Sequence, residues 1–473
     1  MESSTAAWVN KEFSNVDFND KRLDHRFKEI MARLANHCSK TLSSSFEQWK
    51  DIKASYRFFS NSKVTAEKML TPHIEHTITR IKEHQKVLLI QDSCYLDYNN
   101  RGKTEGLDLT FRSKLSTESK GLILHNTLAL SIEGTPLGIA DQRFIERKSF
   151  HGENHEESRK IRNWNRPIEE KESIRWIDVV KKSHTLDFDK TEIIHVADRE
   201  CDIYEFFRDA GKIRENVLIR ASKNRSINKT YRREAPHCLL FDYLKSKKAQ
   251  GKMTIDLQVN DKKKFRKAEL SIIFAEISMP PPPNKTKPKD GSNLPIVPLR
   301  AIMAIERTPP KSQEPICWVL LTNMKISTPE EAIEKIYWYS YRWNIEVYFK
   351  ILKSGCGVEK AQLRHADRLK NYITLKSIVA WRLFWITRSY ERNSEKSCLS
   401  VLTKNEWTIL YRKIHKTKNI PKQPPTVGDV YIWIAKLGGY IGRASDPPPG
   451  IISIWRGWQR LTEMIEDYID ICG

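Results

Sequence analysis

Residues 337–353, with the sequence YWYSYRWNIEVYFKILK, decide how the rest of this chain is interpreted. The stretch has helical length and contains neither glycine nor proline. Among its bulky apolar residues, four polar ones are functional candidates: Tyr339, Arg342, Glu346 and Lys353. At the α-helical pitch these four side chains fall within an arc of roughly 60°. Apolar residues, Trp343 among them, cover most of the remaining circumference, so we expect a buried helix.

A carboxylate flanked by cations on a buried helix has two interpretations. Such a helix rarely carries Glu and Arg in its interior unless they are paired or bind something. Arg342 and Glu346 are four residues apart, so they could form a structural ion pair. They could equally belong to a functional site. The stretch alone leaves both interpretations open.

The composition bounds the class of protein. The chain has 473 residues, 39% of them hydrophobic, which is enough for two or three domains with their own cores. A net charge of +22, spread along the whole chain, predicts a polyanionic partner, most simply nucleic acid. The eight cysteines show no zinc spacing and are typical of free thiols in a reducing compartment. We also see neither a secretion signal nor a membrane-spanning run, and expect a soluble cytoplasmic protein.

Three acidic residues form the candidate site. Asp92 follows the apolar strand predicted at 87–91, and Asp198 follows the one predicted at 192–197, where ligands collect in α/β sheets. With Glu346 they could hold Mg²⁺, and two such ions catalyse in-line phosphoryl transfer. The nearby cations would hold a substrate phosphate: Arg342, Lys350 and Lys353. The order strand-Asp, strand-Asp, helix-Glu is that of an RNase H-like nucleotidyl-transfer fold.

The chain divides into three predicted parts. Residues 1–72 read as short helices with cations on one face, 73–394 as an α/β catalytic domain, and 395–473 as a helical region. Within the middle part, about 238–320 has a period of two and forms a β-rich insertion, with a proline-rich loop at 280–298. The polar loop carrying His151 and His155 is more typical of a solvated loop than of a metal site.

Several motifs carry a resemblance over essentially the full length. They are IQD ending at Asp92, ADRECDIY around Asp198, and a Y-(2)-R-(3)-E-(6)-K signature running from Tyr339 to Lys353. Further matches are KESIRW at 171–176, WVLLT at 318–322, IAKLGGYIG at 434–442 and SIWRGWQRL at 453–461. Together they resemble the bacterial insertion-sequence DDE transposases of the IS-four family, in particular the Tn-five (IS-fifty) type.

The resemblance implies a cut-and-paste transposase that uses Mg²⁺, with Mn²⁺ as a substitute. It would bind double-stranded DNA at terminal inverted repeats, cleave through a hairpin intermediate, and join 3′ ends to target DNA as a homodimer in a synaptic complex. Its fold would be an RNase H-like core between an N-terminal DNA-binding and a C-terminal dimerisation domain. In the bacterial cytoplasm it would be nucleoid-associated when bound to DNA.

The resemblance also implies roles for single residues. Asp92, Asp198 and Glu346 would be the metal-binding catalytic triad. Trp318 would stack on a flipped base, although a core tryptophan in a buried strand is the alternative. The remaining expected DNA contacts are Tyr339, Arg342, Lys350, Lys353, Arg220, Lys223, Arg22, Arg26 and Arg57. The expected dimerisation residues are Trp455, Trp458 and Leu461.

Two departures from the family pattern qualify these expectations. Gln91 replaces an acidic residue, and Ser93-Cys94 stands where hydroxyl residues are typical; neither position is a metal ligand, so catalysis should survive. The recognition helix differs outside Arg22 and Arg26, which predicts different terminal repeats.

The competing hypotheses are a catalytically silent DNA-binding homologue and a structure-specific RNase H-like nuclease. An RNA-binding protein is disfavoured because no RNP or KH signature occurs.

Overall fold

A computed structural model of the chain describes residues 3–99, 104–112, 118–145, 167–227, 238–259, 264–282, 294–310, 314–443 and 446–472. The loop with His151 and His155 and most of the proline-rich segment lie outside these ranges. The described helices are α1 (Ser4–Glu12), α2 (Lys21–Asn36), α3 (Trp49–Phe59), α4 (Ala66–Lys82), α5 (Ile174–His184), α6 (Tyr204–Lys212), α7 (Leu240–Lys245), α8 (Pro329–Ser340), α9 (Trp343–Lys350), α10 (Ala366–Asn393), α11 (Lys404–His415), α12 (Val427–Leu437) and α13 (Ile451–Cys472).

One large mixed sheet organises the middle of the chain. Its strands are β1 (Lys86–Asp97), β2 (Asp108–Arg112), β3 (Glu118–Ser131), β4 (Pro136–Ile145), β5 (Glu192–Ala197), β6 (Asn216–Arg220), β9 (Gly251–Val259), β10 (Lys264–Met279), β11 (Val297–Glu306) and β12 (Cys317–Thr322). Two short strands, β7 (Ser226–Ile227) and β8 (Cys238–Leu239), pair separately. The sheet order is β2-β3-β1-β5-β6-β12-β11-β10-β9, with β4 on β3. The α/β prediction is confirmed, and the β-rich insertion extends the same sheet.

Strand β1 continues past the point at which the sequence predicts its end. The parallel pairing with β5 covers only Lys86–Ile90, but β3 pairs antiparallel with β1 from Val87 to Asp97. Hydrogen bonding to β3 therefore keeps β1 extended beyond Asp92. The prediction that the strand ends at Asp92 is wrong. Only the parallel pairing with β5 stops just before Asp92, at Ile90.

The stretch 337–353 is not the single helix that we predicted. Between α8 and α9 the backbone forms i→i+3 hydrogen bonds, such as the 2.9 Å bond from Arg342 N to Tyr339 O, which tighten the chain. The ring of Tyr341 lies at this junction, against Gly134 in the turn between β3 and β4. A Cβ on Gly134, where φ is +88°, would come within 2.8 Å of that ring. The hairpin turn therefore packs against the helix junction.

The last turn of the stretch also departs from the α-helical pitch. Residues 351–355 form a π turn, closed by a 2.7 Å bond from Cys356 N to Ile351 O. A π turn changes the angular position of everything that follows it. The ideal α-helical pitch on which the predicted stripe rests therefore does not extend to Lys353, which lies within the π turn.

The N-terminal helices are joined closely to the sheet. The sequence predicts α2, which Asp20 caps as expected, but it gives no signal for α1. Helix α4 runs through residue 72, so the predicted domain boundary falls inside a helix. The long helix α10 packs against α2, α4 and β4 and fills the space between the helical module and the sheet.

A buried ionic network fixes α1 to α4. His73 Nδ1 donates to Glu12 Oε1 at 2.6 Å, because its Nε2 accepts from the backbone N–H of Ile139 at 3.0 Å. Arg80 binds both carboxylate oxygens of Glu12, at 2.9 and 3.0 Å. Burial raises the pKa of Glu12, but His73 and Arg80 lower it to about 2 overall. Glu12 is therefore a carboxylate at neutral pH and holds the N-terminal module on the sheet.

The C-terminal region contains three helices. The sequence predicts α12 and α13 but not α11, which begins with a capping box of Thr403 and Glu406. Helices α12 and α13 cross at two glycines with almost no space between their backbones. A Cβ on Gly457 would lie 1.7 Å from Ile434 O, and one on Gly438 would lie 1.8 Å from Ser453 O. None of the described helices is both long and apolar enough to cross a bilayer.

We predict that Gly457→Ala lowers the free energy of unfolding by about 1–3 kcal/mol, because α13 must move away from α12 to admit the methyl group. Urea unfolding followed by far-ultraviolet circular dichroism measures the effect. Gly211→Ala is the matched control, since a Cβ at this α6 position meets nothing within 4 Å. Equal unfolding midpoints for the two variants would contradict the close crossing.

Candidate active site

The register of two parallel strands brings Asp92 and Asp198 together. Ile90 of β1 lies opposite Val196 of β5, which is the last parallel pair of the two strands. Asp92 and Asp198 each follow that pair by two residues. Side chains two residues apart point to the same face of a strand, so the pairing sends both carboxylates in one direction. Asp198 also caps the short 3₁₀ turn Arg199–Cys201, accepting a 2.9 Å bond from Glu200 N.

Arg342 connects the helix carboxylate to the first strand carboxylate. Its Nη1 lies 3.4 Å from Asp92 Oδ2, and its Nη2 donates to Glu346 Oε1. The ion pair expected between Arg342 and Glu346 is therefore present, and Arg342 also contacts Asp92 on strand β1. Since all three side chains are only partly exposed, the three charges interact through a medium of reduced dielectric.

Asp92 interacts electrostatically with both of the other carboxylates. Burial raises the pKa of Asp92 to about 7, and the charges of Asp198 and Glu346 contribute in the same direction. The amide of Ser93 and the guanidinium of Arg342 act against this increase. Burial likewise opposes the charge of Arg342, but Glu346 and Asp92 keep its pKa above the usual value. A concentration of negative charge in a half-buried place is typical of a cation site.

The donor set fits a hard divalent cation. Asp92, Asp198 and Glu346 offer only carboxylate oxygens, which Mg²⁺ and Mn²⁺ prefer. Across the described ranges, however, no three His, Cys, Asp or Glu side chains already stand at ligand spacing. The guanidinium of Arg342 instead lies between two of the three carboxylates. In this arrangement Arg342 neutralises these two carboxylates.

Tyr339 and Arg220 lie beside this group. The phenol of Tyr339 is buried, and burial raises its pKa while the nearby charges of Arg342 and Arg220 lower it. Arg220 ends β6, the neighbour of β5. Lys223 is exposed in the following loop, which Asp202 holds by accepting bonds from Ser222 N and Oγ at 2.7 and 2.9 Å. Arg220 and Tyr339 are thus brought to the carboxylates.

The other predicted DNA contacts of the middle part of the chain are Lys350, Lys353 and Trp318. Lys350 is exposed at the end of α9. Lys353 forms a 3.2 Å ion pair with Glu359, whose carboxylate also accepts a bond from Asp97 N at 3.0 Å. Trp318 is partly buried in β12 and packs on the main core, so its surroundings leave the core alternative open.

The prediction for Trp343 is wrong. Helical periodicity places this residue on the buried circumference of one long helix, whereas Trp343 is 62% exposed at the start of α9. Its neighbour along the chain, Arg342, is the residue that bridges the carboxylates. The sequence feature that could have indicated a role for Trp343 is its position between Arg342 and Glu346 of the signature, not the helical periodicity. An exposed indole beside a half-buried charged site is a surface on which a planar ligand group could stack.

The predicted N-terminal cations lie on two helices. Arg22 is exposed and pairs with Asp20 at 3.2 Å, and Arg26 pairs with Glu29 at 2.9 Å. Arg57 is exposed on α3.

Two further residues of α3 are exposed on one face, although the sequence did not single them out as DNA contacts. Trp49 is 66% exposed, and Lys53 Nζ lies 5.3 Å from its ring centroid. Trp49, Lys53 and Arg57 follow one another at intervals of four residues, so they share one face of the helix. That spacing was visible in the sequence.

The three expected dimerisation residues are core residues of the single chain. Trp455, Trp458 and Leu461 are all buried, and Trp455 packs on Gly355 of the π turn. Within the single chain these side chains attach α13 to the core, and their role in dimerisation stays a prediction. Exposed apolar residues of the same helix are Ile452 and Tyr468.

Comparison with known protein families gives three matches in chain order. Residues 5–64 match the model described as transposase DNA-binding, and residues 69–382 match that described as transposase DDE domain. Residues 378–469 match the transposase Tn5 dimerisation domain. The central match alone covers more than half of the chain. This chain therefore belongs to the Tn5-type DDE transposases.

Proposed function

We propose that this transposase moves DNA by a cut-and-paste reaction. Residues 1–72 bind the terminal inverted repeats, 73–394 cleave and join DNA, and 395–473 pair two copies in a synaptic complex. Cleavage at each end begins with hydrolysis of one strand, and the freed 3′-hydroxyl attacks the opposite strand to give a hairpin. After the hairpin reopens, the 3′ ends join to target DNA.

The observation that supports this proposal best is the convergence of three carboxylates from separate parts of the chain. Asp92 and Asp198 come from paired strands, and Glu346 comes from α9 through its contact with Arg342. Mg²⁺, or Mn²⁺ in its place, would be held by these three residues and would activate water and stabilise the leaving oxygen in phosphoryl transfer. Glu12, by contrast, belongs to the ionic network that joins α1 to α4.

The cations around the carboxylates have a separate role in the proposal. Arg342 neutralises Asp92 and Glu346 while no cation is present, and it becomes available to a DNA phosphate when it withdraws. Tyr339 and Arg220 line the same side, and Lys350 and Lys353 extend the positive charge along α9 and the π turn. Arg22, Arg26, Arg57 and Lys223 are proposed to contact DNA outside the cleavage site.

We predict that Glu346→Gln and Asp198→Asn each abolish cleavage while retaining DNA binding, since each removes a charged oxygen ligand and leaves the basic surfaces unchanged. The assay uses purified protein, Mg²⁺ or Mn²⁺, and a labelled duplex carrying the inverted repeats that flank the gene. Denaturing gels separate the nicked strand from the hairpin. Gel mobility shift measures binding to the same duplex, and this binding should weaken steeply with salt.

The matched control is Glu269→Gln, which alters an exposed carboxylate of β10 in the insertion and should cleave like the wild type. Cleavage by either triad variant would contradict the site assignment. Binding without cleavage by the wild type would favour a silent DNA-binding homologue. Nicking without a hairpin or strand transfer would favour a nuclease.

We predict a second, independent effect at Trp343. Because its ring is 62% exposed, Trp343→Ala should leave the free energy of unfolding nearly unchanged. If the ring stacks on a DNA base at the cleavage site, the same change should weaken binding to the repeat duplex by about 1–3 kcal/mol. Fluorescence anisotropy of a labelled duplex measures the affinity, and urea unfolding measures the stability.

Trp338→Ala is the comparison variant for this prediction. Trp338 is only 3% exposed, and Lys335 Nζ lies 4.2 Å from its ring centroid, so its removal should cost about 3–5 kcal/mol of stability. Unchanged DNA affinity in Trp343→Ala would exclude the stacking role.

A further inference from the structure

Arg175 of α5 joins the two segments that carry Asp92 and Asp198. Its side chain is 9% exposed, and its guanidinium forms three hydrogen bonds. Nε donates to Ser93 Oγ at 3.0 Å, and Nη2 donates to Glu200 Oε2 at 2.9 Å. Nη1 donates to a backbone carbonyl of its own segment, Glu172 O, at 3.0 Å. One planar group is thus fixed to β1, to the turn after β5, and to α5.

Two of the three partners of Arg175 are also bonded to an aspartate of the candidate site. The amide of Ser93 donates to Asp92 Oδ1 at 2.7 Å, and the amide of Glu200 donates to Asp198 Oδ1 at 2.9 Å. A continuous path therefore runs from Asp92 through Ser93, Arg175 and Glu200 to Asp198. The parallel pairing of β1 and β5 has already ended at this level, so the path is a second connection between the two segments.

Buried aromatic groups hold this path in place. His125 Nδ1 lies 2.9 Å from Ser93 Oγ, and its ring packs edge-on against Trp176, with 4.7 Å between centroids. Trp176 is fully buried, and the guanidinium of Arg175 lies 5.3 Å from its ring centroid. Burial, with the charges of Arg175 and Arg143, lowers the pKa of His125 well below its usual value, so this imidazole is neutral. The network therefore has few alternative arrangements.

We propose that Arg175 is a positioning residue that sets the separation and orientation of the Asp92 and Asp198 carboxylates for divalent cation binding. The proposal rests on the proposed function, in which these residues hold the metal. A guanidinium can reach Ser93 and Glu200 together because its donors form a rigid planar fork. An ammonium carries its three donors on a single nitrogen and has no planar fork to fix the direction of both bonds. Groups that orient ligands in this way typically change metal affinity when they are replaced.

The test is binding of Mn²⁺ to the full-length protein without DNA, measured by loss of the free-ion electron paramagnetic resonance signal. We expect Arg175→Lys to weaken Mn²⁺ binding by about 10- to 100-fold. Glu200→Gln should shift affinity in the same direction by a smaller factor, because it keeps the shape of the side chain and removes its charge. Glu200 is 58% exposed, so this variant should fold even if Arg175→Lys does not.

Arg266→Lys is the matched control. Arg266 also forms a paired contact with a carboxylate, Glu306, but on β10 and β11, far along the sheet order from β1. It should lose comparable stability and bind Mn²⁺ as the wild type does. A merely structural role for Arg175 would make the two lysine variants alike in metal affinity, and that result would overturn the proposal.

Asp92→Asn separates the failure of this inference from failure of the proposed function. Wild-type binding that is lost in Asp92→Asn but unchanged in both Arg175→Lys and Glu200→Gln would overturn the role of Arg175 alone. Mn²⁺ binding that Asp92→Asn leaves intact would remove the metal site from these carboxylates, and the inference with it.

Discussion

Five consecutive residue pairs, from Lys86–Glu192 to Ile90–Val196, join β1 to β5 in parallel and decide where the two strand carboxylates of the candidate site lie. Asp92 and Asp198 each follow the last pair by two residues. The register of the two buried apolar strands therefore places two charged groups side by side. A slip of one residue would send one carboxylate to the opposite face of the sheet. The buried apolar strands thus determine the geometry of a site that is itself polar.

Three carboxylates gathered in a half-buried place repel one another, and the chain offsets this repulsion with two arginines of different character. Arg342 contacts Asp92 and Glu346 directly. Arg175 bonds to Ser93 and Glu200, whose amides bond to the two aspartates. In the proposed function, a metal and a phosphate would replace the first arrangement, whereas the second would stay in place and hold the carboxylates in position.

The sequence predicted the α/β class, the family and the order of the acidic residues, because these depend on local patterns and specific motifs. It did not predict the break between α8 and α9, since residues 341 and 342 contain no helix-breaking residue and the junction packs on a distant hairpin turn. The exposure of Trp343 follows from that break. The burial of Trp455 and Trp458, and the links made by Arg175, were also hidden, because they depend on contacts between residues far apart in the chain.

The most direct test of the account is anomalous diffraction from crystals of the protein bound to its end DNA in the presence of Mn²⁺. The account predicts an anomalous peak within about 2.0–2.6 Å of oxygens from Asp92, Asp198 or Glu346, with Arg342 turned away from Asp92. A peak elsewhere, or an Arg342 that still bridges Asp92 and Glu346 with no metal beside them, would contradict the assignment of this site.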